Sequence, residues 1–316
     1  MDYLSLLSQT WTGEQAQWLL SDALSGFLFY ASMAYFLFEI VRYLWLKQMR
    51  WTWVGDTVTN FLTFLAFPLM SQLLGAAFFI ALFFYAHEHW AILNIPINVY
   101  TIVLAVIVAD FVYYWEHRFM HMTGIGWLTH TVHHSSPEFN ISVAYRFGPL
   151  DGFIPWFFHF PLVLLGFHPL LVFGAEIFVQ AYQAILHTEA IPKLHRWVEK
   201  VFNTPSHHRV HHGANPQYCD KNYAGIFIIW DRLFGTFEPE EEKVVYGLAK
   251  PLNSVNPLVV FLHGFPRLWA QIKNSRSIGE FFGYLFKPPG WAPGKTVISK
   301  SEVVQEVVKE VLEKGT

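Results

Sequence analysis

Residues 116–134 read EHRFMHMTGIGWLTHTVHH, and the fold turns on the five histidines in that stretch. In a helix His117 and His121 stand one turn apart, as do His130, His133 and His134, so each set projects its imidazoles from one face. A second array follows in SHHRVHHG, residues 206–213, where His208, His211 and His212 repeat the H-x-x-H-H spacing. His207 stands beside it, and His187 lies between the two arrays. Neutral imidazole is the commonest metal-binding side chain and suits iron, copper, zinc and nickel. A lone histidine usually caps a helix or satisfies a core hydrogen bond. Nine at these spacings (117, 121, 130, 133, 134, 187, 208, 211 and 212) exceed what one tetrahedral or octahedral ion accepts, so two transition-metal ions are expected.

The composition says where such a centre would sit. Of the 316 residues, 53% are hydrophobic and 14% charged, against about 25% charged in an average soluble domain; this is the make-up of a membrane protein. The scattered lysines and arginines form no basic stripe, which speaks against nucleic acid as a partner. The single cysteine, Cys219, rules out an intrachain disulfide and a cysteine metal site. Residues 1–22 lack the basic n-region of a cleavable signal peptide, so insertion is expected through internal segments. Apolar runs interleave with the histidines and no Ser/Gly-rich linker parts them, so residues 1–296 read as one domain and 297–316 as a short C-terminal helix.

A span needs about 20 mainly apolar residues. Leu24–Leu46 supplies the first, with Trp18, Trp45, Trp51 and Trp53 as interfacial anchors. Residues 57–86 supply a longer second, kinked or tilted at Pro68 and Gly75. Asn98–Phe119 is a third, carrying His117 in its last turn, and Phe153–Thr188, broken at Gly166 and at His168-Pro169, reads as a hairpin or re-entrant pair. The expected fold is an all-α integral membrane protein of about four transmembrane helices with a helical, histidine-rich di-metal region. All 21 basic residues fall within 42–50, at 118, at 146 or from 193 onward, so the positive-inside rule puts that region on the cytoplasmic face and the amino terminus on the other. Pro257–Ile272 fits an interfacial helix or an ordinary packed one equally. The acidic run 238–243 reads as a solvated loop.

Haem ligation would need histidines facing each other within the bilayer, and transport would need ligands at the midplane, where only Glu39, Asp110 and Glu176 stand. The chemistry expected of the clusters is therefore redox chemistry at a metal centre. A membrane protein that merely stores, senses or transports metal is the non-enzyme alternative.

The set H-x-x-x-H, H-x-x-H-H and H-x-x-H-H in a membrane chain resembles the fatty acid hydroxylase and sterol desaturase superfamily. DFVYYWEHRFMH (110–121), HHSSPEFN (133–140), NTPSHHRVHHG (203–213), the stretch from DKNYAGIF (220–227) to 247, and PPGWAPGK (288–295) resemble its ether-lipid-cleaving branch. The resemblance implies a di-iron centre that uses dioxygen, a membrane lipid as substrate, and tetrahydrobiopterin as electron donor. The reaction implied is hydroxylation next to the ether oxygen of an alkylglycerol. Within the superfamily, hydroxylation or desaturation of a sterol, carotenoid or fatty acyl chain would use the same ligands. Eight histidines match the boxes, and His187 matches the additional histidine after the hairpin. His207, Asp110, Glu116, Glu189, Asn222 and Asp231 are candidates to hydrogen-bond and orient the ligand imidazoles; Tyr145 and Trp156 are candidates to line a lipid slot. His87 and His89 read as interfacial residues on the opposite face, and His159, His168, His195 and His263 as packing or surface residues.

Overall fold

The computed structural model describes residues 10–12, 14–15 and 25–294. Among them every regular element is helical, and the sole β pairing is an isolated antiparallel bridge between Gly213 and Tyr246. The apolar half of the chain forms α1 (Ser25–Trp45), α2 (Trp51–Leu73), α3 (Ala76–Trp90), α4 (Val99–Met122), α6 (Ile154–Leu165) and α7 (Pro169–Ala184), with the short α5 (Gly124–His134) between α4 and α6. The polar half adds α8 (Arg196–Val201), α9 (Pro205–His211), α10 (Ile229–Phe234), α11 (Pro257–Leu262), α12 (Phe265–Lys273) and α13 (Ile278–Phe286).

By length and composition one described helix, Val99–Met122, can cross a bilayer by itself, and α2 with α3 makes a second if that bent pair counts as one span. The long second apolar run is thus two helices. Pro68 sits inside α2 without ending it, and the break falls at Gly75, whose φ of 91° is open to glycine and costly for other residues. The two axes there differ by 59°. Of the tryptophans expected as anchors, Trp45 and Trp51 are exposed, whereas Trp53 is buried against Tyr43. Trp18 and the C-terminal helix expected over 297–316 lie outside the described residues.

α4 is the axis of the core. Asn98 caps it reciprocally with Thr101, the two backbone-to-side-chain bonds each measuring 3.0 Å. Its small residues Ala105 and Ala109 let it lie close against Ala175 and Val179 of α7, and Phe83 and Val163 complete the same cluster. At its far end Thr123 accepts a hydrogen bond from Gly126 N at 3.1 Å and starts α5 at once. A Cβ on Gly126 would lie 2.5 Å from the Cα of Met120, so only glycine lets α5 fold back so tightly over the last turn of α4. That corner brings His130, His133 and His134 over His117 and His121.

The carboxy-terminal helices cover α5 from outside. Gly124 N donates to Lys287 O at 3.1 Å, and a Cβ on Gly264 would stand 2.3 Å from Leu128 O. Residues 257–272 therefore pack inward, while Leu258 and Trp269 of the same helices, 70% and 68% exposed, face out. The acidic run is fastened rather than free: Glu240 holds Arg209 through two bonds of 2.7 Å.

Candidate metal centre

Nine histidines from four places in the chain meet in two groups. His117, His121, His130, His134 and His211 form the first, and His133, His187, His208 and His212 the second; within each group the ligand atoms all lie within 4.8 Å of one another. All are buried except His133, which is half-buried. The H-H dipeptides 133–134 and 211–212 are divided between the groups: His134 and His211 belong to the first, His133 and His212 to the second.

The rings point their Nε2 atoms inward. Nε2 of His117 is 2.9 Å from that of His130, and Nε2 of His187 is 3.0 Å from that of His208 and 3.3 Å from that of His133. The outer nitrogens are held by carbonyl oxygens. His117 Nδ1 lies 2.8 Å from Tyr223 O, His211 Nδ1 2.9 Å from Lys221 O, and His187 Nδ1 2.9 Å from Gln183 O. A carbonyl can only accept, so each of these rings carries its proton on Nδ1 and turns the Nε2 lone pair into the cluster. Asp220 Oδ1 stands 3.3 Å from His121 Nδ1 in the same relation.

Burial holds His133, His134, His208, His211 and His212 well below the ordinary histidine pKa, and the neighbouring imidazoles push in the same direction. They are neutral and able to ligate. Nε2 of His134, His211 and His212 is buried with no hydrogen-bond partner. Convergent lone pairs without donors are costly unless a cation takes them, so donor type, tautomer and spacing all fit one metal ion per group.

The loop from Asp220 to Asp231 owes its place to two carboxylates. Asp231 accepts from Tyr223 N and Ala224 N, both at 2.8 Å, and Asp110 accepts from Ile226 N at 2.5 Å, Phe227 N at 3.0 Å and Trp230 Nε1 at 2.8 Å. A Cβ on Gly225 would meet Asp110 Oδ1 at 2.6 Å, so the chain can pass here only as glycine. Asp110 and Asp231 thus act on the ligands through the backbone they hold, setting the carbonyl of Tyr223. Asn222, at a φ of 56°, bonds His207 O and Glu238 O rather than an imidazole.

Other expected partners stand elsewhere. Glu116 is one residue, and hence about 100° of helix, away from His117; it faces His159 Nδ1 at 3.4 Å, and Glu176 lies 2.8 Å from the other nitrogen of that ring. The buried His159 is therefore the centre of an ionic trio joining α4, α6 and α7, and not a packing or surface residue. Glu189 takes the Tyr246 hydroxyl at 3.3 Å. His207 belongs to neither group; its Nε2 lies 2.9 Å from Glu199. Trp156 is in an aromatic core with Phe79, Phe83 and Phe173, and Tyr145 rests against Phe61 and Phe64. His87 and His89 are remote from the cluster: His87 is half-buried beside His168, and His89 is exposed and stacked on Tyr85. His168 caps α7, His195 is exposed, and His263 lies 3.3 Å from Thr131.

Arg146, absent from the expected set, grips the centre from behind. Its side chain is fully buried. Nε donates to Val132 O at 2.9 Å and to Ser135 Oγ at 3.1 Å, so it brackets His133 and His134 on both sides. Nη1 donates to Asp56 at 2.9 Å and Asn60 at 2.6 Å on α2.

These features define a class, and comparison with known proteins gives the same one. Residues 102–236 form a domain that matches the family model described as fatty acid hydroxylase. It is 43% identical to alkylglycerol monooxygenase of Homo sapiens over 232 residues, 72% of this chain and 52% of the relative. The protein of the same name from Danio rerio is 40% identical over 258 residues, 80% of this chain and 57% of its own length. That from Xenopus tropicalis is 37% identical over 269 residues, 83% and 60%. The chain thus spans between half and two thirds of the length of these relatives. No solved structure matches.

Proposed function

We propose that the protein is a membrane-bound, di-iron, dioxygen-dependent monooxygenase that cleaves the ether bond of alkylglycerols. The observation that carries this reading is the pair of histidine groups, five and four imidazoles, that share the H-H dipeptides 133–134 and 211–212; likeness to the alkylglycerol monooxygenases supplies the substrate. His117, His121, His130, His134 and His211 hold one iron, and His133, His187, His208 and His212 the other. When bound, the irons supply the activation of dioxygen. One oxygen atom enters the C–H bond next to the ether oxygen, and the other leaves as water with two electrons and two protons. The hemiacetal so formed collapses to a fatty aldehyde and glycerol. A reduced pterin, tetrahydrobiopterin, gives the electrons.

The chain's own residues bind and orient. Carbonyls of Tyr223, Lys221 and Gln183 fix three imidazoles in the ligating tautomer, and burial keeps bulk water from the reacting carbon. We place the chain across the membrane as a multi-pass protein with the centre on the cytoplasmic face, at the depth of an ether-linked carbon near a lipid headgroup. Labelling of cysteines introduced at Ser8 and at Lys193 should report opposite faces.

The test is incubation of purified protein with oxygen, reduced pterin and labelled alkylglycerol, with elemental analysis alongside. Two irons per chain and release of fatty aldehyde are expected. His134→Ala and His212→Ala should lose metal and aldehyde together, whereas His89→Ala should keep both. An iron-loaded protein that hydroxylates or desaturates another lipid without releasing aldehyde would keep the family and refute the ether-cleaving reaction.

A further inference from the structure

Tyr223, whose carbonyl holds His117, also lays its ring against the first histidine group, with centroids 5.1 Å from His121 and 5.9 Å from His117. Beyond it stands Tyr114 of α4 at 6.1 Å, and 5.3 Å further on Trp115. The two tyrosines are buried, whereas Trp115 is 38% exposed. Three rings thus run from the ligands to the protein surface in steps within the range of aromatic contact. The Tyr114 hydroxyl has its own partners. It lies 3.0 Å from Thr236 Oγ1, which donates to Asp231 Oδ1 at 2.6 Å. The threonine hydrogen is committed to that carboxylate, so Tyr114 is the donor to Thr236, and Arg118 Nη1 donates to the Tyr114 oxygen at 3.1 Å. Burial pushes the Asp231 carboxyl above the ordinary aspartate range, which favours its taking a proton. Phenylalanine would fill the space of Tyr114 equally well. What the phenol adds is an electron that a strong oxidant can remove, with a hydrogen-bonded route for the proton that must leave at the same time.

We propose that Tyr223, Tyr114 and Trp115 form an escape path for oxidising equivalents, by which electrons from the surface quench the centre when dioxygen has oxidised it and no lipid is there to react. The inference rests on the proposed dioxygen chemistry, and it concerns what protects the site rather than what the site acts on. A centre that has reacted with dioxygen and finds no C–H bond otherwise attacks its own ligands, and suppressing such side reactions falls to the protein. The Tyr223 ring bridges the histidines to Tyr114. As an electron leaves Tyr114 for the centre, its proton moves to Thr236 and that of Thr236 to Asp231; both return when Trp115 refills the tyrosine. Trp115 then lacks one electron and releases its indole proton to water. A thiol reductant restores it by giving an electron and a proton, and two thiols so oxidised join as a disulfide. Each passage delivers one electron to the centre. None of the three residues lines the cavity of about 720 Å³ that opens beside the same histidines, so the path does not depend on contact with a ligand there.

The experiment mixes the iron-loaded full chain, in nanodiscs of diacyl lipid with catalase present, with reduced pterin and oxygen in the absence of alkylglycerol. Samples are frozen for electron paramagnetic resonance and digested for peptide mass spectrometry. An organic radical is expected, its signal narrowed by ring-deuterated tyrosine, together with oxidation of Trp115. Tyr114→Phe should lower both at least tenfold while oxidation of the ligand histidines and loss of iron rise; its iron content and thermal midpoint before oxygen is admitted show that it is folded. Trp115→Phe should leave the radical on tyrosine and lengthen its life. A radical of undiminished yield in Tyr114→Phe overturns the inference, as does its absence from a protein that binds iron and consumes oxygen. Oxidation of Trp269, which is 68% exposed, to the same extent as Trp115 also overturns it, because the oxidant would then be a diffusing one. A chain that takes up no iron or consumes no oxygen refutes the proposed function, and this inference with it.

Discussion

Asp56→Ala should damage the centre from a helix that contributes no ligand. Asp56 lies on α2 and is 1% exposed, and its carboxylate neutralises Arg146 at 2.9 Å while accepting from Ser136 Oγ at 2.6 Å. The truncation leaves the guanidinium buried beside one remaining acceptor on α2, the Asn60 amide oxygen at 2.6 Å. Breaking a buried pair from one side costs about 3–5 kcal/mol, and at a few degrees per kcal/mol the thermal midpoint should fall by on the order of 10 °C. Because Arg146 also holds Val132 O and Ser135 Oγ, metal content should fall with it. Replacing both partners, Asp56→Leu with Arg146→Met, should cost less than the sum of the single changes, since no unpaired charge remains. The assay is thermal unfolding and elemental analysis of the single and double variants in detergent. An Asp56→Ala protein within about 1 kcal/mol of the parent, the cost of an average point change, would refute the reasoning.

Asp110→Asn puts an amide where three donors converge, so one oxygen must replace two and the NH₂ faces an N–H. A loss of about 2–4 kcal/mol is expected from two charge-assisted bonds, read by denaturant unfolding, with faster proteolysis in 220–231. The pH dependence follows from His133, His134, His208, His211 and His212, all held below the ordinary value by burial. The unfolded chain takes up protons near pH 6.5 and the folded one only lower, so stability of the metal-free protein should be level above about 6.5 and decline as pH falls below it. Urea unfolding between pH 5 and 8 measures this, and a stability that rises on acidification would contradict the neutral assignment.

What the sequence makes legible is what periodicity carries. H-x-x-x-H and H-x-x-H-H place rings on one helix face regardless of tertiary context, and all nine expected histidines do meet. Helix ends such as Asn98 and the break at Gly75 follow from local chemistry in the same way. Adjacency in sequence misleads elsewhere. Glu116 borders a cluster histidine yet points away, because a single helical step turns the side chain, whereas Asp220 lies 99 residues from His121 and stands beside it. The Arg146–Asp56 pair spans 90 residues, and the polar stripe Asp56, Asn60 and Thr63 on an apolar helix has no visible partner until the fold supplies one. His159 lacks a neighbour at ligand spacing, and its two glutamates come from different helices.

The division of the H-H dipeptides has a mechanical consequence. Adjacent Cα atoms are tied 3.8 Å apart by a trans peptide, and each dipeptide sends one ring to either side. Two such yokes, 133–134 and 211–212, therefore span the gap between the groups, so a rigid shift of α5 or α9 carries both positions together without stretching the interval between them. A displacement of either helix as a rigid body is filtered out in this way. The spacing can change only through the rotamers of four side chains, and the packing of their rings against one another at centroid distances of 4.5–4.7 Å across the dipeptides leaves little room for that.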